Sequence, residues 1–336
     1  EEIQAMGARD LMDVLQYVPG FQFGSDVQGA IGIAVRGNWA HEGKVMLLVD
    51  GQEMVDGLYS TLQFGNHYPV SNIERVEIIR GPGSSIYGGY AGYSVINVIS
   101  KNSKKDLDIR ANVSSAITSK ILTSQTGSIV LGLNKNKLKF STEGYVGKSI
   151  RSLSRYTDVY GSSYEMKDNS DITNSYINSS FAIGKFSSRF IYDNYEIYSR
   201  DQYLKVSSEA YPVLFKNYYG ELKYDFSLGT KFKLTPKLNY KYQEPWKTVG
   251  TNPADGITEL NLSSQRISAG LLFNYDASKS INITAGITSF NDKSHSSVDS
   301  ILFRSNNLTT LEYNNTGVFT QLLYKNSIAN ITAGAF

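Results

Sequence analysis

The sequence predicts a membrane all-β protein: a small α+β unit over residues 1–102, then the strands of a transmembrane antiparallel β-barrel over 103–336. Three observations carry this. Near Leu107 the chain changes from mixed elements to sustained apolar–polar alternation. The connections between alternating segments are short and long in turn. The lysines of the clearest segment gather on one face. About eleven strands are visible, near 107–117, 126–133, 137–147, 172–183, 186–198, 216–226, 231–243, 265–275, 280–290, 316–324 and 328–336.

In the first unit, Asp10 is placed to N-cap a short helix whose Leu11, Val14, Leu15 and Val18 share a face, and Pro19-Gly20 stops it. GIAVRG (32–37), VMLLVDG (45–51) and RVEIIRG (75–81) predict short strands, each closed by a glycine turn. Between the last of these and the strand-like run Val95–Ile99 lies the glycine-rich joint GPGSSIYGG (81–89). It is not a phosphate cradle. A P-loop needs a Lys after its second glycine, a dinucleotide site needs a helix N-terminus, and here neither is present.

In the barrel region, KFKLTPKLNYKY (231–242) puts Phe232, Leu234, Leu238, Tyr240 and Tyr242 on one face and Lys231, Lys233, Lys237, Asn239 and Lys241 on the other. YYGELKYDF (218–226) sets Leu222, Tyr224 and Phe226 against Glu221, Lys223 and Asp225. INITAGIT (281–288) sets Ile281, Ile283 and Ile287 against Asn282, Thr284 and Thr288. A soluble β array alternates too, and stays open on pattern alone. Connection lengths discriminate. Those beginning at Asn134, Gly184, Ser227, Asp276 and Lys325 are short, whereas Lys148–Asp171, Ser199–Phe215, Glu244–Ser264 and Asn291–Asn315 are long. Thr118–Gln125 is intermediate, in a long slot. Tight turns at one rim and long loops at the other belong to transmembrane barrels, and strands of roughly 9–11 residues fit a tilted crossing. A lipid-facing Lys costs roughly 2–4 kcal/mol at the midplane. The lysines of 231–242 are therefore expected in the lumen, with Tyr224, Tyr240 and Tyr242 in an interfacial girdle.

Composition narrows the function. Lys and Arg total 33 against 31 Asp and Glu, which gives no electrostatic case for nucleic acid. Cysteine is absent, so disulfides and thiolate metal sites are too. No run approaches the ~18 apolar residues of a spanning helix. No signal peptide is present. The chain opens inside an amphipathic pattern and closes on NITAGAF in mid-strand, so both ends are expected to be internal to a longer protein. Ser-x-x-Lys, Gly-x-Ser-x-Gly and His-x-x-x-His signatures are missing; neither enzyme activity nor a cofactor is expected. Asp50, Glu53 and Asp56 lack the spacing of a cation cage and read as solvated turn carboxylates. His41, His67 and His295 lie in segments expected to be loops, where they can face one vestibule or simply be polar.

IERVEIIRGPGSSIYGGYAGYSVINVISK (73–101) resembles the closing segment of the plug domain of TonB-dependent outer-membrane receptors. DLMDVLQYVPGF (10–21), VRG (35–37) and VMLLVDGQEM (45–54) resemble the earlier plug motifs, in the family's order and spacing. The resemblance covers residues 1–101; the barrel strands are compatible with it but would not identify it alone. It implies a plug inside a barrel of 22 strands when complete, set in the lipid of the bacterial outer membrane. It also implies uptake of a scarce nutrient, a ferric siderophore, haem, cobalamin or sometimes a glycan, driven by the TonB-ExbB-ExbD energising complex. A binding or signalling receptor working with a surface lipoprotein or protein partner stays open.

By the same resemblance, Arg36 in VRG and Arg80 in IIRGP pair with barrel glutamates and lock the plug. The loops Asn38–Lys44 and Gly57–His67 match the ligand-facing apices. Trp39, His41, Tyr59, Phe64 and His67 are then the expected substrate contacts. Two departures stand out. No TonB box precedes Glu1, and about half the family's strands are visible, so the glutamate partners of the arginines are expected outside this chain.

Overall fold

The computed structural model describes residues 2–83, 87–101, 103, 105–202, 205–256, 259–296, 309–325 and 330–335. The centre of the glycine-rich joint (84–86), Asn102 at the expected domain boundary, residues 297–308 of the Asn291–Asn315 connection and residues 326–329 lie outside them.

After a helical turn, α1 (Glu2–Ala5), the plug opens on α2 (Leu11–Gln16). Asp10 caps it as expected, its carboxylate accepting from the Asp13 N–H at 3.0 Å. Leu11, Val14 and Leu15 are the buried face. A three-stranded antiparallel sheet follows, β1 (Phe21–Ser25), β2 (Ile31–Val35) and β3 (Asn38–Trp39). A second sheet takes the order β5-β4-β7-β6, from β4 (Val45–Val49), β5 (Gln52–Glu53), β6 (Ile73–Ile79) and β7 (Ser94–Ser100). Here β4 runs parallel to β7 and buries all five of its residues. That explains why VMLLV reads as an unbroken apolar run rather than an alternating one. Asp50 (φ 49°) and Gly51 (φ 83°) make the left-handed pair that turns β4 into β5.

The second region is one antiparallel sheet: β8 (Leu107–Thr118), β9 (Ile121–Lys135), β10 (Leu138–Ile150), β13 (Asp171–Ile183), β14 (Phe186–Ser199), β15 (Tyr211–Tyr224), β17 (Phe232–Thr248), β18 (Leu262–Asp276), β19 (Ile281–Ser296), β20 (Thr310–Lys325) and β21 (Asn330–Ala335). These eleven pair in sequence order; a short β16 (Phe226–Leu228) adds to β17, and β11 (Arg155–Thr157) with β12 (Ser163–Glu165) forms a hairpin in a long loop. The sheet curves around the plug. Ile191, Tyr195, Phe215 and Tyr219 point at the plug and are buried, while Phe190, Leu222, Leu238 and Tyr240 point outward and are exposed. The lysine register follows: Lys241 is buried against the plug and Lys237 pairs with Glu221 at 2.7 Å.

Two expectations change. The intermediate connection after Thr118 is a two-residue turn, Ser119 (φ 52°) and Lys120 (φ 66°), because β9 starts earlier than its apolar pattern does. The wall strands β8–β10, β13–β15 and β17–β20 also run to 12–17 residues, longer than a lipid crossing needs. The surplus lies toward the long-loop rim, where polar Glu196, Lys216 and Glu244 occupy outward positions that hydrocarbon would reject.

Candidate functional site

Residues 50–72 leave β4, climb the barrel wall to the long-loop rim and descend to β6, forming an arch. Wall side chains hold each step of the ascent. Asp50 receives Arg189 at 2.7 Å and Asn178 at 3.0 Å, and its second set of donors is the backbone and hydroxyl of Ser100 in the plug. Gln52 donates to Glu221 at 2.7 Å. Glu53 faces Lys241 at 3.4 Å and Arg266 at 3.7 Å. Higher up, Lys241 donates to the Val55 carbonyl at 3.0 Å, Gln243 accepts the Gly57 N–H at 3.0 Å, and Trp246 donates to the Thr61 hydroxyl at 2.9 Å. Asp56 is buried at the top, where it accepts the backbone N–H groups of Leu58, Tyr59, Ser60 and Thr61.

The descent is held likewise. The Tyr195 hydroxyl donates to the Phe64 carbonyl at 2.7 Å, and Asn174 donates to the Asn66 carbonyl. Left-handed backbone at Gly65 (φ 84°), Asn66 (φ 50°) and Tyr68 (φ 56°) turns His67 toward the wall. There its ring stacks between Tyr68 at 3.8 Å and Tyr195 at 4.6 Å, and its nitrogens reach the Gln63 carbonyl and Asp193, each at 2.8 Å. Ser71 meets Ser128 at 3.2 Å, and Asn72 donates to Glu143.

The expected substrate contacts therefore separate. Trp39 is exposed at the rim, its indole N–H 3.3 Å from Glu42. Tyr59 is half-buried, edge-on to Trp246 at 6.4 Å. His41 is 1% exposed, enclosed by Trp39 and Trp246, and burial lowers its pKa and keeps the ring neutral. Phe64 and His67 do not reach the rim. Phe64 packs on Phe23 at 5.1 Å and His67 is 2% exposed in the wall contact, because the arch turns both inward to the seam between plug and barrel. His295 lies within β19 on the face opposite buried Ser294 and Ser296, away from a vestibule.

The glutamate partners of the arginine lock are expected outside this chain. Arg36 and Arg80 are exposed, and the Arg36 guanidinium donates to the Arg80 carbonyl at 2.7 Å; among the described residues neither has a carboxylate partner. Arg80 therefore does not anchor its turn to this part of the wall. Here the polarity is reversed, with plug carboxylates meeting barrel cations: Asp50 with Arg189, and Glu53 with Lys241 and Arg266. The acidic trio is thus not solvated. Asp50 and Asp56 are buried or nearly so and Glu53 is partly covered, because their turn lies against the wall.

Sequence reasoning missed the wall side of every contact. Trp246 had a readable signal. Alternation would send it outward, but the register of β15 against β17 shifts at Leu214/Lys216, and Pro245 and Trp246 are both buried. A proline inside a strand marks such a bulge, which re-aims the next side chain. Asp193 and Gln243 sit on correctly read inward faces, yet nothing in one strand says what they meet.

Residues 1–95 match the TonB-dependent Receptor Plug Domain family. The chain is 40% identical over 106 residues to the vitamin B12 transporter BtuB of Vibrio vulnificus, covering 31% of this chain and 17% of that protein. It is 30% identical over 155 residues to BtuB of Photobacterium profundum, covering 45% and 25%. Among solved structures, a mutant of the ferric enterobactin receptor PfeA of Pseudomonas aeruginosa superposes with TM-score 0.71 at 17% identity, over 97% of this chain and 54% of that one. The copper transporter OprC gives TM-score 0.66 at 12% identity, over 97% and 59%. The chain thus spans a quarter or less of the curated relatives in its alignments and little more than half of these structural neighbours. Residues 1–95 thus carry the sequence of a TonB-dependent receptor plug domain, and the plug seated on its curved strand wall has the fold of these outer-membrane receptors.

Proposed function

We propose that the chain belongs to an importer that carries a scarce nutrient across the outer membrane, a metal chelate of the ferric siderophore, haem or cobalamin class. One observation supports this reading: beneath the long-loop rim the plug meets the barrel through many separable polar bonds, such as Asp50 with Arg189 and His67 with Asp193, beside apolar contacts with Tyr176, Ile191 and Tyr219 of the wall. In this reading the barrel region begins after residue 102, and the TonB-ExbB-ExbD complex supplies the force that shifts the plug. Trp39 and Tyr59 are the first contacts for substrate, and His41 lies directly beneath Trp39. Aromatic bodies with polar tips grip a bulky chelate without covalent chemistry. Similarity of the plug to proteins named vitamin B12 transporters makes cobalamin the first nutrient to test.

The test is growth of a deletion strain with a ferric siderophore, haem or cobalamin as the sole source of the limiting nutrient. The expected result is failure on one of the three, restored by the wild-type gene but not by Trp39→Ala at equal membrane abundance. Normal growth of the deletion strain on all three overturns the nutrient class.

A further inference from the structure

His67 meets acceptors at both ring nitrogens. The Gln63 carbonyl can only accept, so Nδ1 carries a hydrogen. Nε2 lies 2.8 Å from Asp193 Oδ1, and a chain of hydrogen bonds fixes the role of the other carboxyl oxygen. The Gly57 N–H donates to Gln243 Oε1, so the Gln243 amide nitrogen points to Asn217 Oδ1, at 3.1 Å. The Asn217 amide nitrogen must then point to Asp193 Oδ2, at 3.0 Å. Asp193 Oδ2 therefore accepts, and as a carboxylate the group turns toward Nε2 a second acceptor, Oδ1. A neutral imidazole with its hydrogen on Nδ1 would turn a lone pair toward it, whereas an imidazolium satisfies every atom. All four side chains in the relay are nearly inaccessible: His67 2%, Asp193 1%, Asn217 6% and Gln243 0%.

We propose that His67 is a proton-controlled latch between plug and barrel: charged, it ties the descending arch to Asp193; neutral, it leaves a buried carboxylate unpaired and lets residues 63–72 lift from the wall. The titratable groups facing His67 are Asp193 from β14, Asp10 from the start of α2, and the phenols of Tyr68 and Tyr195 stacked on its faces. Both carboxylates favour the cation. Burial opposes it, but Asp193 and its hydrogen bond more than offset burial, so the pKa is raised. The sign follows. The latch is whole below the pKa of an exposed histidine and is lost as pH rises through the raised value.

The experiment is hydrogen exchange on the full-length receptor in detergent, with protection factors corrected for intrinsic rates. From about pH 6.5 up to the raised pKa, the opening constant of segment 63–72 should grow about tenfold per pH unit, then level off. Amides of β4 and β7 should show no such step. Asp193→Asn separates the latch from simple packing: its amide can donate to Nε2 of a neutral His67, so the arch stays seated and the step disappears. His67→Gln also removes the step. Protection of 63–72 in the wild type that does not change with pH overturns the proposal, as does a step that survives in Asp193→Asn.

Discussion

The interior of the plug and its seam with the barrel differ in how much of their contact is polar. Inside the plug, β4 buries Val45, Met46, Leu47, Leu48 and Val49 against Val95, Ile96 and Val98 of β7. In the seam, the arch meets the wall through ion pairs, amides, hydroxyls and one imidazole, interleaved with apolar contacts from Tyr176, Ile191, Tyr219 and Trp246. Several buried polar atoms there have no protein partner, among them Asn66 Nδ2, Asn72 Oδ1, Glu143 Oε1 and Asn174 Oδ1. An apolar core loses its stabilisation once opened to water, whereas polar contacts can be exchanged for hydration. The boundary is therefore the more polar of the two regions, and its polar share can be exchanged for hydration.

Predictions that break this contrast run from large to small. Arg189→Ala leaves Asp50 buried without its cation and should weaken plug seating by about 3–5 kcal/mol. Protease accessibility of residues 50–72 in denaturant reads this, and the plug interior should stay folded. Leu47→Ala attacks the other side. A cavity at a 0% exposed position should cost the plug about 2–5 kcal/mol, read as loss of protection in β4 and β7 while the barrel stays intact. Trp246→Phe keeps the ring on Phe215 but removes the bond to Thr61, and should loosen the arch apex by roughly 0.5–1.5 kcal/mol, visible as faster exchange at Thr61.

A separate prediction concerns pH. Asp26 accepts the N–H groups of Gln28 and Ala30, and burial pushes its pKa up to about 6. The folded state thus holds this proton more firmly than the unfolded chain, and ionisation weighs against folding. Stability from this group should be greatest in acid, fall as pH rises from 3.8 through about 6, and stay level above. Asp26→Asn should flatten that slope in a melting-temperature series; a slope unchanged by the substitution would refute the assignment.

Much of this was legible in the residues. The cap at Asp10, the run of β4, the left-handed turn after Val49 and the outward faces of β15 and β17 follow from local rules of period and conformation. The site was legible only in part. Trp39, an expected substrate contact, lies exposed on the edge strand β3. Phe64 and His67 were read as rim residues because a loop rich in aromatics resembles a binding surface, although this loop spends those side chains on the wall. Asp50 and Glu53 were read as solvated because a turn is normally wet, whereas this one lies inside a lumen.

By itself, then, the sequence determined most of the long elements and the outward faces of β15, β17 and β19, because a period of two and the penalty for charge in hydrocarbon are local facts. Only the tertiary structure decided what the inward faces touch. Asp193 and His67 are 126 residues apart, and they meet because the arch folds back against the curved sheet. No rule of spacing within one segment could bring them together.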